Sequence, residues 1–293
     1  MFRKESFSRK VFIIFNYIIC VTMAVLCIVP LLHILAVSFS DEIAIRSGTV
    51  GLIPVGFNLS AYRYVASHAQ FFKSMGISVV RVILGVAIGM FITILAAYPL
   101  SKTQRQFSAR QYYVWYFMLS MLVGGGLIPT YLVIAKLKLV DTIWALVLPS
   151  AVNTFNIILL QNYIKSLPDE IMESAFVDGA GHWRNLVSIV LPLCKPVLAT
   201  LVLFIAVTHW NAWFDGMIYM NRAEDFPLQS YMRSIVVEVD IELITDVDVL
   251  IANVTQKSSK SAQTFLAMLP ILCVYPFLQK HFVGGIVMGS VKG

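Results

Sequence analysis

An all-α membrane protein with six transmembrane helices is the fold predicted by this sequence, and three observations predict it. Only 13% of its 293 residues are charged while 58% are hydrophobic, against about 25% charged in an ordinary soluble domain, and the mean hydropathy is +0.79. Six stretches lack Asp, Glu, Lys and Arg, at 11–39, 82–100, 111–135, 142–164, 196–214 and 261–279. Each approaches or exceeds the ~20 residues that cross ~30 Å of hydrocarbon. Basic residues gather in short segments between them, as they do on the cytoplasmic side of membrane proteins.

The first stretch follows Arg3, Lys4, Arg9 and Lys10, but it is far longer than the ~7–15-residue apolar core of a cleaved signal. It reads as a retained helix over 11–39, with Pro30 as its point of bending. Apolar neighbours lengthen others: Ile77–Val80 carries the second span to 77–100, Ile189–Leu193 carries the fifth to 189–219, and the sixth reads through 283. The third, 111–135, is interrupted by Gly124-Gly125-Gly126 and Pro129. Such breaks are tolerated where backbone is buried or faces a cavity, so this one marks either a flexing point or close packing. The fourth covers 142–164. Six spans leave no residues for a separate soluble domain, and 1–293 reads as one transmembrane domain.

Charge sets the orientation. The basic N-terminus and the loop SKTQRQFSAR, with Lys102, Arg105 and Arg110 and no acid, belong on the cytoplasmic side. An even number of spans then places the C-terminus there too. The segment Asp215–Thr255 carries eight acids against Arg222 and Arg233 and belongs outside. Its acidic tract, 236–260, contains VVEVDIELITDVDVL, whose alternation permits a solvated loop or a short strand, with an edge facing an extracytoplasmic protein as a sharper use.

The same charges exclude several classes. A net charge of +6 marks cytoplasmic flanks and forms no stripe suited to phosphate backbones, so nucleic acid is not a partner. The middles of the spans lack the ionisable residues that ion-coupled carriers keep in the bilayer, and His33 and His209 read as interfacial residues. The nearest approach to a phosphate-cradling loop, Gly284–Gly289, continues with Ser290 and Val291 where Lys and Ser or Thr are needed. Cys20, Cys27, Cys194 and Cys273 show no CxxC or metal spacing. No catalytic or metal constellation is evident: the chain is not an enzyme, and uphill transport would draw its energy from another chain.

One polar interruption stands out on the cytoplasmic side, ESAFVDGAGHWRNLVSIVLP over 173–192. Ser166 can cap, Pro168 suits a first turn, and Asp169 and Glu170 favour the positive end of a helix. Ile171, Met172, Ala175 and Phe176 then share an apolar face, Gly179 ends the helix, and a second helix starts near His182. Amphipathic helices on lipid headgroups carry Lys and Arg on their polar face, whereas this one carries acids. The pattern fits a knob over 168–187 that plugs into a soluble partner.

Glu173-Ser174-Ala175, three residues, Gly179, nine residues, Ile189, one residue and Leu191-Pro192 resemble the EAA loop of ABC importer permeases at every anchor. Ser174 replaces an alanine and Leu186 stands where an aromatic is common. GGLIPTYLVIAKLKLVDTIWALVLP, HWNAWFDGMIYM, PLQSYMRSI and YPFLQKHFVGGIVMGSVKG are similar to MalG-like permeases of carbohydrate importers, in the subgroup serving fragments of complex polysaccharides. The resemblance implies the type I importer permease fold in a bacterial inner membrane. It also implies coupling helices through which Glu173, Ser174, Ala175, Asp178, Gly179 and Ala180 meet an ATPase, and a C-terminal tail reaching between ATPase subunits. The partners implied are two copies of that ATPase, carrying ATP and Mg2+ that this chain does not hold, a homologous second permease, and an extracytoplasmic solute-binding protein.

For the substrate path, Asn153 and Asn156 share a helix face, and they either glue helices together or line a wet route. Gln161 and Asn162 fall on another side. Trp210, Asn211 and Trp213 combine aromatic faces with a hydrogen-bonding amide where span five ends, although Trp is also enriched at interfaces. The expected function is ATP-driven import of an oligosaccharide, with a fragment of an acidic plant or algal polysaccharide as one version. Import of another polar solute, or a channel-like subunit without an energised partner, are the alternatives.

Overall fold

The computed structural model describes residues 7–242, 257–274 and 276, and no strand occurs among them. Its helices, in chain order, are α1 (Phe7–Ser38), α2 (Glu42–Arg46), α3 (Ser60–Ser67), α4 (Ala69–Ser101), α5 (Arg110–Leu122), α6 (Leu127–Lys136), α7 (Ile143–Val147), α8 (Thr154–Lys165), α9 (Asp169–Val177), α10 (His182–Asn185), α11 (Leu191–Leu193), α12 (Lys195–Asn211), α13 (Phe214–Tyr219) and α14 (Leu228–Glu242). A further helix covers 257–274. The chain groups into two units, residues 1–71 with 234–269, and 72–233 with 270–293.

In the first unit, α1 runs unbroken through Pro30 for 32 residues, or ~48 Å at 1.5 Å per residue. From Val11 to Leu32 its large apolar side chains, Ile13 excepted, are exposed, a state only lipid or another chain can satisfy. Its C-terminal end is anchored. Ala36 and Val37 pack on Ala44, Ile45 and Val50, Phe39 stacks between Phe57 and Tyr62 at 5.4 and 4.7 Å, and Asn58 N–H donates to the Phe39 carbonyl at 2.8 Å.

The second unit is built on three elements that meet along their apolar faces. Ala97, Tyr98 and Leu100 of α4, Ile157, Leu160 and Ile164 of α8, and Val197 and Leu201 of α12 form one core with Leu186, Val190 and Cys194. A smaller cluster joins Ile134, Ala145, Leu146, Tyr219 and Met220, and there the Asp141 N–H donates to the Tyr219 carbonyl at 2.8 Å.

Several expected spans prove to be broken. α1 and α4 are long and apolar enough to cross a membrane as single helices; counting each of three bent pairs as one span gives up to five among the described residues. The stretch 111–135 is α5 and α6, set at 114° across Val123–Gly126. Gly126 has φ +78°, which glycine adopts freely and a branched residue does not. Gly126→Val is therefore expected to lower the yield of folded protein severalfold, and Gly124→Ala, which meets nothing within 4 Å, to leave it unchanged; size-exclusion profiles in detergent check both. The stretch 142–164 bends by 48° between the segments 143–150 and 154–165. Within 189–219, Ile189–Leu193 lie in an arm set at 82° to α12, and Phe214–Tyr219 form the separate α13. The acidic tract begins as helix, since α14 continues through Glu242. The four-residue spacings Ile235 to Val239 and Glu238 to Glu242 serve a helix as well as the alternation serves a strand. The rest of that tract to 256, residues 275 and 277–283 of the sixth stretch, and the C-terminal tail lie outside the described residues.

Candidate functional site

The knob is made by α9, a turn, and α10. Pro168 stands at the N-cap of α9 with Asp169 and Glu170 in the first turn and no side-chain cap. Ser166, expected as that cap, closes α8 instead, its hydroxyl donating to the Tyr163 carbonyl at 2.7 Å. Gly179 has φ +79°, and the next N–H, of Ala180, reaches back to the Ala175 carbonyl at 2.9 Å, which closes the helix with a left-handed glycine. No atom lies within 4 Å of a Cβ built there, so the need for glycine is conformational.

Packing divides the knob in two. Met172 and Phe176 turn inward with Ala175, which is buried, and the buried Asn185 amide donates to the Met172 carbonyl at 3.3 Å. Ala180 is buried as well. Glu173, Ser174, Asp178 and Gly179 are exposed, joined by Ile171, Val177 at 87% exposure and Trp183 at 65%. Of the six residues expected to couple, four therefore face outward, while Ala175 and Ala180 can act only through packing. Ile171 leaves the face the spacing assigned to it. Val177 and Trp183 join the surface, and the signal for Trp183 was a large aromatic beside a turn in a polar loop.

A cavity of about 230 Å³ opens between α4, the α7–α8 break and α12, with Thr93, Asn153, Asn156, Thr208 and His209 among its lining. Asn153 and Asn156 thus lie together, and they differ. The Asn153 Oδ1 accepts the Asn156 N–H at 3.2 Å and caps α8, while Asn156 is 3% exposed. The three residues expected beside them go elsewhere. Trp210 lines an apolar groove with Val79, Ile83, Leu203 and Val207, and Asn211 is exposed. Trp213 meets Phe214 edge-on at 5.6 Å and the Arg233 guanidinium at 5.3 Å. Gln161, 7% exposed, and the exposed Asn162 lie outside the cavity lining.

Sequence reading overlooked Arg81. It is 1% exposed and holds Asp215 with two donors, one of them at 3.2 Å, while also donating to the Ala212 carbonyl at 3.2 Å and His209 Nδ1 at 3.4 Å. This knot ties α4 to the junction of α12 and α13. The available signal was one cation inside an otherwise apolar run, paired with an acid just past the end of another.

A helical bundle that exposes apolar faces, encloses a hydrogen-bonding cavity and presents an acid-edged knob defines a membrane transport subunit. Residues 89–287 match the family model described as the binding-protein-dependent transport system inner membrane component. The chain belongs to that family. It is 40% identical to Protein LplC of Bacillus subtilis (strain 168), over 98% of this chain and 96% of that one. It is 38% identical to the polygalacturonan/rhamnogalacturonan transport system permease protein YtcP of the same organism, over 98% of this chain and all of the other. Among solved structures, a bacterial ABC transporter involved in the import of the acidic polysaccharide alginate superposes with a TM-score of 0.85 at 29% identity, covering 96% of this chain and 100% of the neighbour. The fold is that of a type I ABC importer permease, and the chain is an inner-membrane component of a binding-protein-dependent transport system.

Proposed function

We propose that this chain is the translocating subunit of an ATP-driven importer that receives an oligosaccharide or polysaccharide fragment from an extracytoplasmic binding protein and releases it into the cytoplasm. Both termini are cytoplasmic in this reading, and so is the knob. Two copies of an ATPase carry the nucleotide and Mg2+, and a homologous but different permease supplies the other half of the pathway. Closure of the ATPases draws the knobs together and turns the bundle outward; hydrolysis reverses it. Such coupling requires that the ATPase grip the two arrangements with different affinity.

The observation that carries this reading is the division of the knob. Met172 packs on the core of the bundle, Ala175 is buried and Phe176 half-buried, while Glu173, Ser174, Asp178, Val177 and Trp183 are left for another protein to cover. In mild detergent the ATPase is expected to copurify with the wild-type chain and to be lost from Glu173→Lys, which reverses the exposed charge, and from Gly179→Asp, which forces a side chain into φ +79°. An ATPase absent from the wild-type preparation, or retained by both variants with uptake intact, would refute the assignment.

The cavity supports a polar, hydroxyl-bearing solute. Its amide, hydroxyl and imidazole groups can exchange hydrogen bonds with sugar hydroxyls as these leave water. Among the described residues its lining holds no Lys or Arg, and Arg81 is held by Asp215. The names of YtcP and of the alginate importer favour an acidic polysaccharide fragment; on this reading the carboxylates are recognised by the binding protein or the second permease. Titrating the cognate binding protein with neutral and uronic oligosaccharides tests the substrate class, and selective binding of a non-carbohydrate would exclude it.

A further inference from the structure

Where the loop after α4 passes behind the knob, Lys102 is 8% exposed and, among the described residues, makes no ion pair. Its ammonium sits 4.4 Å from the Tyr98 ring centroid and 5.8 Å from that of Phe176, with the Met172 sulfur at 3.6 Å. Tyr98 belongs to α4; Phe176 and Met172 belong to α9. His182 of α10 closes the cluster, its ring 5.1 Å from Phe176 and 6.4 Å from Tyr98. We infer that Lys102 is a positioning residue, the cationic pin through which movement of the knob is transmitted to the inner end of α4. The inference rests on the coupling role proposed above and names the route by which that role reaches a span.

Three features favour a moving joint over a fixed brace. An ammonium held by ring faces and a thioether keeps its attraction as its partners slide, whereas a bidentate ion pair demands one geometry. A cavity of about 370 Å³ lies beside the contact, lined by Lys102, Arg110, Lys165, Asp169 and Glu173 among others, and leaves α9 room to shift. Two buried oxygens at the joint, Tyr98 Oη and Asn185 Oδ1, have no hydrogen-bond partner among the described residues, which are bonds a second arrangement could form. Burial pushes the Lys102 ammonium below its usual pKa, and Asp169 pulls it back up.

The test uses the purified complex with its ATPase and a Thr208→Cys reporter on the cavity wall, in a chain whose four native cysteines are replaced. The measured quantity is the ratio of labelling rates by a membrane-impermeant maleimide with and without a non-hydrolysable ATP analogue. Lys102→Met, which keeps the stem and removes the charge, is expected to reduce that ratio by about fivefold while the ATPase still copurifies, and Lys102→Arg, which restores a cation over the rings, to stay within about twofold of wild type. A role in folding alone would lower the yield of complex and leave the ratio alone. An unchanged ratio in assembled Lys102→Met overturns the pin. If that variant does not assemble, Phe176→Leu removes a ring and keeps the bulk, and an unchanged ratio there overturns it equally. A wild-type complex that holds its ATPase yet shows no nucleotide response would instead overturn the alternating-access mechanism, and the pin with it.

Discussion

Asp215→Ala is expected to cost the folded chain about 3–5 kcal/mol, because it strands a buried guanidinium whose carboxylate has been removed. Arg81 is 1% exposed, and its remaining acceptors, the Ala212 carbonyl and His209 Nδ1, are neutral groups on the same α12–α13 junction that Asp215 secures. The expected result is loss of monodisperse protein in detergent and a much lower unfolding temperature. Arg81→Leu combined with Asp215→Leu is expected to recover much of that loss, since removing both charges also removes the cost of burying them. A wild-type unfolding temperature in Asp215→Ala would show that the ion pair does not hold α4 to this junction.

Gly85→Ala is expected to be nearly as damaging to transport, by a different route. A Cβ at that position would lie 2.3 Å from both Cδ2 and Nε2 of His209, so α4 approaches α12 closely only because glycine is there. His209 is 3% exposed and accepts the Arg81 Nε–H, so its retreat disturbs the knot on one side or narrows the polar cavity on the other. Overpacking of this kind costs about 1–3 kcal/mol, and uptake should fall at least tenfold. Adding His209→Ala opens the space again and should restore packing, which a double-mutant cycle would detect as strong non-additivity. Gly76→Ala in the same helix meets nothing within 4 Å and serves as the control; an equal loss there would point to helix flexibility in place of the contact.

What could be read ahead of the structure divides along physical lines. The charge-free runs located the apolar elements because hydrophobicity is a local property, and α1 and α4 lie where the runs lie, α4 beginning eight residues before the expected 77. Gly179 was legible as a helix end, since a left-handed residue after an amphipathic run is a backbone requirement met within a few residues. The inward turn of Ala175 and Phe176 was legible from spacing. Ile171 was not, because it stands at one edge of the ~140° arc those four positions span, and the packing of the knob against its neighbours decides which edge is covered.

By itself, then, the sequence determined the membrane environment, the helical class, the knob with its acidic edge and the family to which these belong, because each is written in composition or in residues a few positions apart. Only the tertiary structure decided where the spans break, that Trp210 lines a different groove from the cavity of Asn153 and Asn156, and that Arg81 finds Asp215 across 134 positions. It also decided that Lys102 lies between rings of two helices 78 residues apart, at Tyr98 and Phe176. Contacts at such separations depend on how bent helices pack in three dimensions, and no local period of hydrophobicity or charge encodes that packing.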